Sequence, residues 1–150
     1  MIAGNKDLVD IIKNYSLFRT YRCSPLTLFE LQETVLKYID KKEKEIPFWS
    51  LITVSYSTLE ERCKNIAKSI SFASSVEKGE SVIGGGTLPG VTLESPILLI
   101  DDEKTETTIN RLIKNDIPVL PRIIKDKVCL DLRSVFQDQD GVIVQALNNS

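Results

Sequence analysis

Apolar positions in the first third of the chain recur at intervals of three and four, the spacing that lines one face of a helix. Leu8, Ile11 and Ile12 fit a short helix over residues 5–14, followed by a connecting segment over 15–24. Pro25 suits a first helical turn, and Leu28, Leu31, Val35, Leu36 and Ile39 continue a stripe predicted to reach about residue 45, with Pro47 ending it. Beyond it the period shortens. Residues 51–55 read as a strand, 58–70 as a helix with Leu59, Cys63, Ile66, Ala67 and Ile70 inward, and 73–77, 82–83 and 96–100 as strands. A helix over 105–114 follows, then a hairpin of 119–124 with 128–132 through Lys125, Asp126 and Lys127, then a helix over 134–147. The helices fall between strands at βαβ-like intervals, but the hairpin requires a mixed or antiparallel sheet. The expected fold class is therefore α/β (α+β), with two layers and the helices on one face.

Between two of these strands lies Ser81-Val82-Ile83-Gly84-Gly85-Gly86-Thr87-Leu88-Pro89-Gly90. Glycine admits close approach of a backbone or ligand, and Pro89 fixes its own φ, so the run reads as a shaped loop. It is not a nucleotide cradle: no Gly-Lys-Ser/Thr closes it and no helix opens from it. An ordinary glycine-rich connection and a ligand-side loop both remain open from these residues alone.

Charge and reactive residues narrow the chemistry. The 150 residues carry 19 basic and 21 acidic side chains, a net charge of −2, dispersed along the chain, so no broad positive field is available to grip nucleic acid. The Lys41-Lys42-Glu43-Lys44-Glu45 cluster reads as a solvated helix end. There is no histidine, which excludes Ser-His-Asp and Cys-His catalysis and the usual zinc sites within this chain. Cys23, Cys63 and Cys129 are odd in number and widely spaced, so free thiols are expected. No apolar run approaches the roughly 20 residues of a membrane span, and no signal peptide pattern opens the chain, so a cytoplasmic protein is expected.

Arg19 and Arg22 stand three apart, so one helical turn would bring both guanidinium forks to one side, a suitable arrangement for an oxyanion. Salt bridges to Glu30 or Glu33 are the alternative. Arg122 and Arg133 are expected in structural ion pairs, and Trp49 as an aromatic anchor.

Several segments together resemble one family. Residues 75–90, SVEKGESVIGGGTLPG, look like the small-domain signature of bacterial selenocysteine synthases, the L-seryl-tRNA(Sec) selenium transferases. Pro25-Leu26-Thr27-Leu28 with Glu33-Thr34-Val35-Leu36 is similar to the start of that family's interdomain helix, and Ile46-Pro47-Phe48-Trp49 to the entry into its small domain. Pro118-Val119, Pro121-Arg122-Ile123 and Leu130-Asp131-Leu132-Arg133-Ser134-Val135 resemble its closing hairpin.

The resemblance implies a pyridoxal 5'-phosphate enzyme of the aspartate-aminotransferase fold type (fold type I), with residues 1–45 as the tail of the large domain plus the interdomain helix and 46–150 as the C-terminal small domain. The Schiff-base lysine is then expected shortly before Met1, leaving this chain inactive alone, with no catalytic residue and no covalently bound cofactor of its own. Arg19 and Arg22 would bind selenophosphate, and Gly84, Gly85, Gly86 and Thr87 would form a loop beside the cleft. The whole enzyme would act on seryl-tRNA(Sec) as a homo-oligomer, with no tRNA grip from this portion alone. Two other readings stay open: a separate, non-enzymatic α/β module for anion binding or assembly, and part of a related pyridoxal enzyme acting on a free amino acid.

Overall fold

The computed structural model describes residues 2–84 and 90–148. They divide into two compact units, Met1–Ile46 and Pro47–Ser150.

In the first unit, the Asn5 side chain accepts the backbone N–H groups of Asp7 (2.9 Å) and Leu8 (3.4 Å), which caps helix α1, Lys6–Asn14. Tyr15 turns extended and stops it, and a 3-10 helix follows at Ser16–Tyr21. The Ser24 hydroxyl accepts the N–H of Thr27 at 3.1 Å, and Pro25 occupies the first turn of α2, Pro25–Ile39. This helix is shorter than its apolar stripe predicts. Lys41 takes a left-handed φ of 58°, Lys42 N–H reaches back to the carbonyl of Lys37 at 2.7 Å and Lys41 N–H to Tyr38 at 3.2 Å. That paired closure satisfies the last carbonyls six residues before Pro47 could act. No described residue of this unit is buried, and the stripes of both helices, including Leu8, Ile11, Leu28 and Ile39, are exposed.

The second unit begins with a helix where the sequence predicts a strand. Residues 51–55, expected as a strand, belong to and follow helix α3, Pro47–Ile52. Proline pre-sets the first turn, Ser50 Oγ donates to the Pro47 carbonyl at 2.8 Å, and Thr53 donates both its N–H and its hydroxyl to Trp49. These local bonds override the strand preference of Ile52, Thr53 and Val54. Phe48 and Trp49 meet edge to face at 5.3 Å. Ser55 then caps α4, Tyr56–Ser69, through the N–H of Thr58.

Strands β1, Ala73–Val82, and β2, Thr92–Asp101, pair antiparallel along their whole length, from Ala73 opposite Asp101 to Val82 opposite Thr92. The two short strands expected at 73–77 and 82–83 are thus one, with the charged Glu77-Lys78-Gly79-Glu80 inside it. Gly79 is required there: a Cβ would meet Ile97 Cγ2 at 2.9 Å. After α5, Thr105–Lys114, come β3, Arg122–Ile124, and β4, Lys127–Asp131. Lys125 and Asp126 both hold positive φ, 53° and 61°, and Ile124 pairs with Lys127, so the hairpin closes on two residues rather than three. The sheet order is β1-β2-β4-β3, every pair antiparallel. The helix expected from 134 begins later, as α6, Asp140–Asn148, after short 3-10 turns at Leu132–Ser134 and Gln137–Gln139.

One sheet face carries Leu98, Ile100, Val128 and Leu130, and packs on Leu59, Cys63 and Ile66 of α4, Leu112 of α5, and Ile143, Ala146 and Leu147 of α6. Helices α4, α5 and α6 thus share one face, as expected, whereas Phe48, Leu51 and Ile52 of α3 lie with Cys129 and Asp131 of the other. Arg62 locks α4 to α6: its Nε and Nη2 hold the Asp140 carboxylate at 2.9 and 2.6 Å, with Nη2 also donating to the Val135 carbonyl at 2.9 Å.

Candidate functional site

Each unit carries a candidate. In the first, the N–H of Arg22 closes a turn onto the carbonyl of Arg19. A 3-10 helix has three residues per turn, so positions i and i+3 eclipse. Arg19 and Arg22 accordingly line one open cleft of about 620 Å³, together with Asp10, Lys13 and Ser16. Among the described residues neither arginine has an ion-pair partner, so the alternative bridges to Glu30 and Glu33 are not formed.

In the second unit, the sheet face opposite α4, α5 and α6 converges on Asp131. Its Oδ2 accepts from Ser81 Oγ at 2.5 Å and from Arg122 Nη2 at 3.1 Å, and its Oδ1 from Ser95 Oγ at 3.0 Å and the N–H of Arg133 at 3.1 Å. These residues reach it from β1, β2, β3 and the turn after β4, an alignment the antiparallel register creates. Asp131, Ser81, Arg122 and Arg133 line a cavity of about 450 Å³ whose remaining wall is largely apolar, including Phe48, Leu51, Leu93 and Leu120. The ion pair expected for Arg122 is present. Arg133 is not in one: it is buried, and its guanidinium donates to the carbonyls of Ile52, Val54 and Glu94 at 2.7–3.0 Å. It ties α3 to β2 through neutral acceptors.

Sequence reasoning missed Ser81, Ser95 and Asp131 as a group. The available signal was the charged Asp131 between Leu130 and Leu132, a carboxylate flanked by buried side chains. Of the glycine loop, Gly84 is described, and Val82 and Ile83 immediately before it line the cavity; Gly85, Gly86 and Thr87 lie outside the described residues.

The thiols are divided. Cys63 and Cys129 are buried and Cys23 is exposed. Burial pushes the Cys63 thiol up to about 12, helped by the Asp131 charge, and burial raises Cys129 against the opposing influence of Arg122. Neither buried thiol is poised as a nucleophile. Among the described residues no group of acids and thiols could hold a metal ion, and no helix is long and apolar enough to cross a membrane.

The first unit holds two arginines on one cleft, and the second is an α+β domain built on a four-stranded antiparallel sheet. The family model described as SelA, L-seryl-tRNA selenium transferase, matches residues 1–136, and the chain belongs to that family. Relatives named L-seryl-tRNA(Sec) selenium transferase are similar throughout. The protein of Clostridium perfringens strain 13 is 32% identical over 156 aligned positions, covering 98% of this chain and 34% of the relative. That of Alkaliphilus oremlandii is 30% identical over 157, covering 99% and 34%, and that of Clostridium botulinum strain Hall 32% over 158, covering 97% and 33%. The chain thus spans about a third of the length of the curated relatives it matches.

The family depends on pyridoxal 5'-phosphate in general. The side chains described here do not by themselves fit that cofactor. The cavity of the second unit has no lysine on its wall, and both oxygens of its one carboxylate, Asp131, are already taken by hydrogen-bond donors. The cleft that does hold a lysine, Lys13, is open and has only the half-buried Asp10 as its acid.

Proposed function

We propose that this chain is the C-terminal portion of the transferase that converts seryl-tRNA(Sec) to selenocysteinyl-tRNA(Sec) with selenophosphate, and that Arg19 and Arg22 bind the selenophosphate. The observation that carries the reading is the family match across residues 1–136 combined with two arginines one turn apart, unpaired, on one cleft wall. Guanidinium forks match the oxygens of a phosphate-like anion two at a time, and without an ion-pair partner among the described residues they keep that capacity for a ligand. The cofactor, its lysine and the grip on tRNA come from the rest of the polypeptide, so the portion described here is inactive alone, and the whole works as a homo-oligomer in the cytoplasm.

The engagement of Arg122 by Asp131 and of Arg133 by three carbonyls also favours this substrate over a free amino acid. A carboxylate would have to break those contacts, whereas the carboxyl group of seryl-tRNA is esterified and asks for no arginine.

The test is to incubate the polypeptide that carries this sequence together with the remaining two-thirds of the family's length with seryl-tRNA(Sec), pyridoxal phosphate and radiolabelled selenophosphate. The expected result is labelled selenocysteinyl-tRNA from the longer polypeptide and none from the 150-residue chain. No label from the former, or label from the latter, overturns the proposal.

A further inference from the structure

Asp10, Lys13, Ser16, Arg19 and Arg22 all line the same cleft, so every third residue from 10 to 22 reaches one wall. Helix α1 delivers Asp10 and Lys13 on one face, the chain turns at the extended Tyr15, and the 3-10 helix delivers Ser16 and Arg19, with Arg22 following its last turn. The cleft lies at this elbow. Asp10 and Lys13, at i and i+3, have a spacing that commonly forms an ion pair, yet among the described residues none of the four charged groups is paired.

We propose that Lys13 is a third cation for the bound oxyanion and that Asp10 is a counter-charge limiting its affinity, an inference that rests on the anion-site reading of Arg19 and Arg22. Three unpaired cations around one space repel each other, and a multivalent anion relieves that repulsion. A tetrahedral oxyanion with three or more free oxygens can engage both arginine forks and the Lys13 ammonium at once. The arginine forks fix the orientation of such a group, while the compact ammonium of Lys13 on its flexible stem supplies charge without setting geometry. Asp10, half-buried on the same wall, opposes the same anion.

The experiment is a titration of the 150-residue chain with inorganic phosphate at low ionic strength, followed by amide chemical shifts. One unit charge near the ligand in a solvated cleft changes affinity about fivefold. Lys13→Ala is expected to weaken binding by about that factor, Asp10→Asn to tighten it by a similar one, Lys13→Arg to stay near the parent value, and the Arg19→Ala/Arg22→Ala double replacement to remove binding. Loss of fold would weaken every variant, so opposite signs for Lys13→Ala and Asp10→Asn are a signature of charge alone. If those two variants move together or not at all while the double arginine replacement abolishes binding, the roles of Lys13 and Asp10 are wrong and the arginine site stands. If the parent chain does not bind phosphate, or the double arginine variant binds as the parent does, both fall.

Discussion

The N–H of Arg22 donates to the carbonyl of Arg19 at 3.4 Å, closing a single three-residue turn that stacks the two side chains on one wall of a cleft. That short-range relationship carries the functional reading. The first unit buries no described residue, whereas the second has a continuous core from α4 to α6.

Protection from hydrogen exchange should follow that division. Amides of β2 and β4, at the centre of the sheet, are expected to exchange slowest, and those of α1 and the 3-10 helix fastest, because opening there exposes no buried apolar surface. Uniform protection across the chain, in a monomer, would contradict this account.

Arg62 and Asp140 form a largely buried ion pair in the second unit, with side-chain exposures of 7% and 23%. Arg62→Ala leaves a partly buried carboxylate and a carbonyl without their donor, and is expected to cost about 3 kcal/mol by urea denaturation. The double replacement Arg62→Met/Asp140→Asn should recover a large part of that loss. A cost within experimental error for Arg62→Ala would show the pair to be incidental.

The three thiols should separate cleanly. With an aromatic disulfide reagent on the folded chain near pH 8, one equivalent, Cys23, is expected to react quickly, and Cys63 and Cys129 only on unfolding. Cys63, raised from 9.0 to about 12, favours the native state fully below about pH 9, and that contribution is lost as pH rises toward about 12. Rapid titration of all three thiols would contradict the burial.

Asp102 is shifted the other way. Its carboxylate accepts the Thr108 hydroxyl and, at 2.9 Å, the N–H of Lys104, which hold it below the usual carboxylate range and fasten the start of α5. The stabilisation is therefore present above about pH 4 and lost as pH falls through the lowered value. Asp102→Ala should cost about 1 kcal/mol at neutral pH and less in acid. An equal effect at pH 3 and pH 7 would rule this origin out.

How much of this was legible depends on whether the decisive interaction is local. The stripe of α4, the α5 helix and the hairpin after residue 118 follow from periodicity, and Arg19 with Arg22 from spacing. The end of α2 does not, because a lysine at a left-handed position carries none of the usual glycine signal. The segment after Trp49 misleads because β-branched residues there are held by helical bonds to the preceding turn. The Asp131 network joins positions as far apart as 50 residues, so only the sheet register reveals it.

Arg19 and Arg22 are expected to act as one oxyanion site, which is read from the selenylation rate of the complete enzyme at limiting selenophosphate for each Ala variant and for the pair. Each single replacement is expected to lower the rate about 10²–10³-fold, and the double variant to fall far short of the product, because the pair acts as a unit. Lysine at either position should rescue poorly, since an ammonium restores charge but not the planar fork. Near-normal selenylation by Arg19→Ala and Arg22→Ala would contradict the claim and leave both arginines as surface charges.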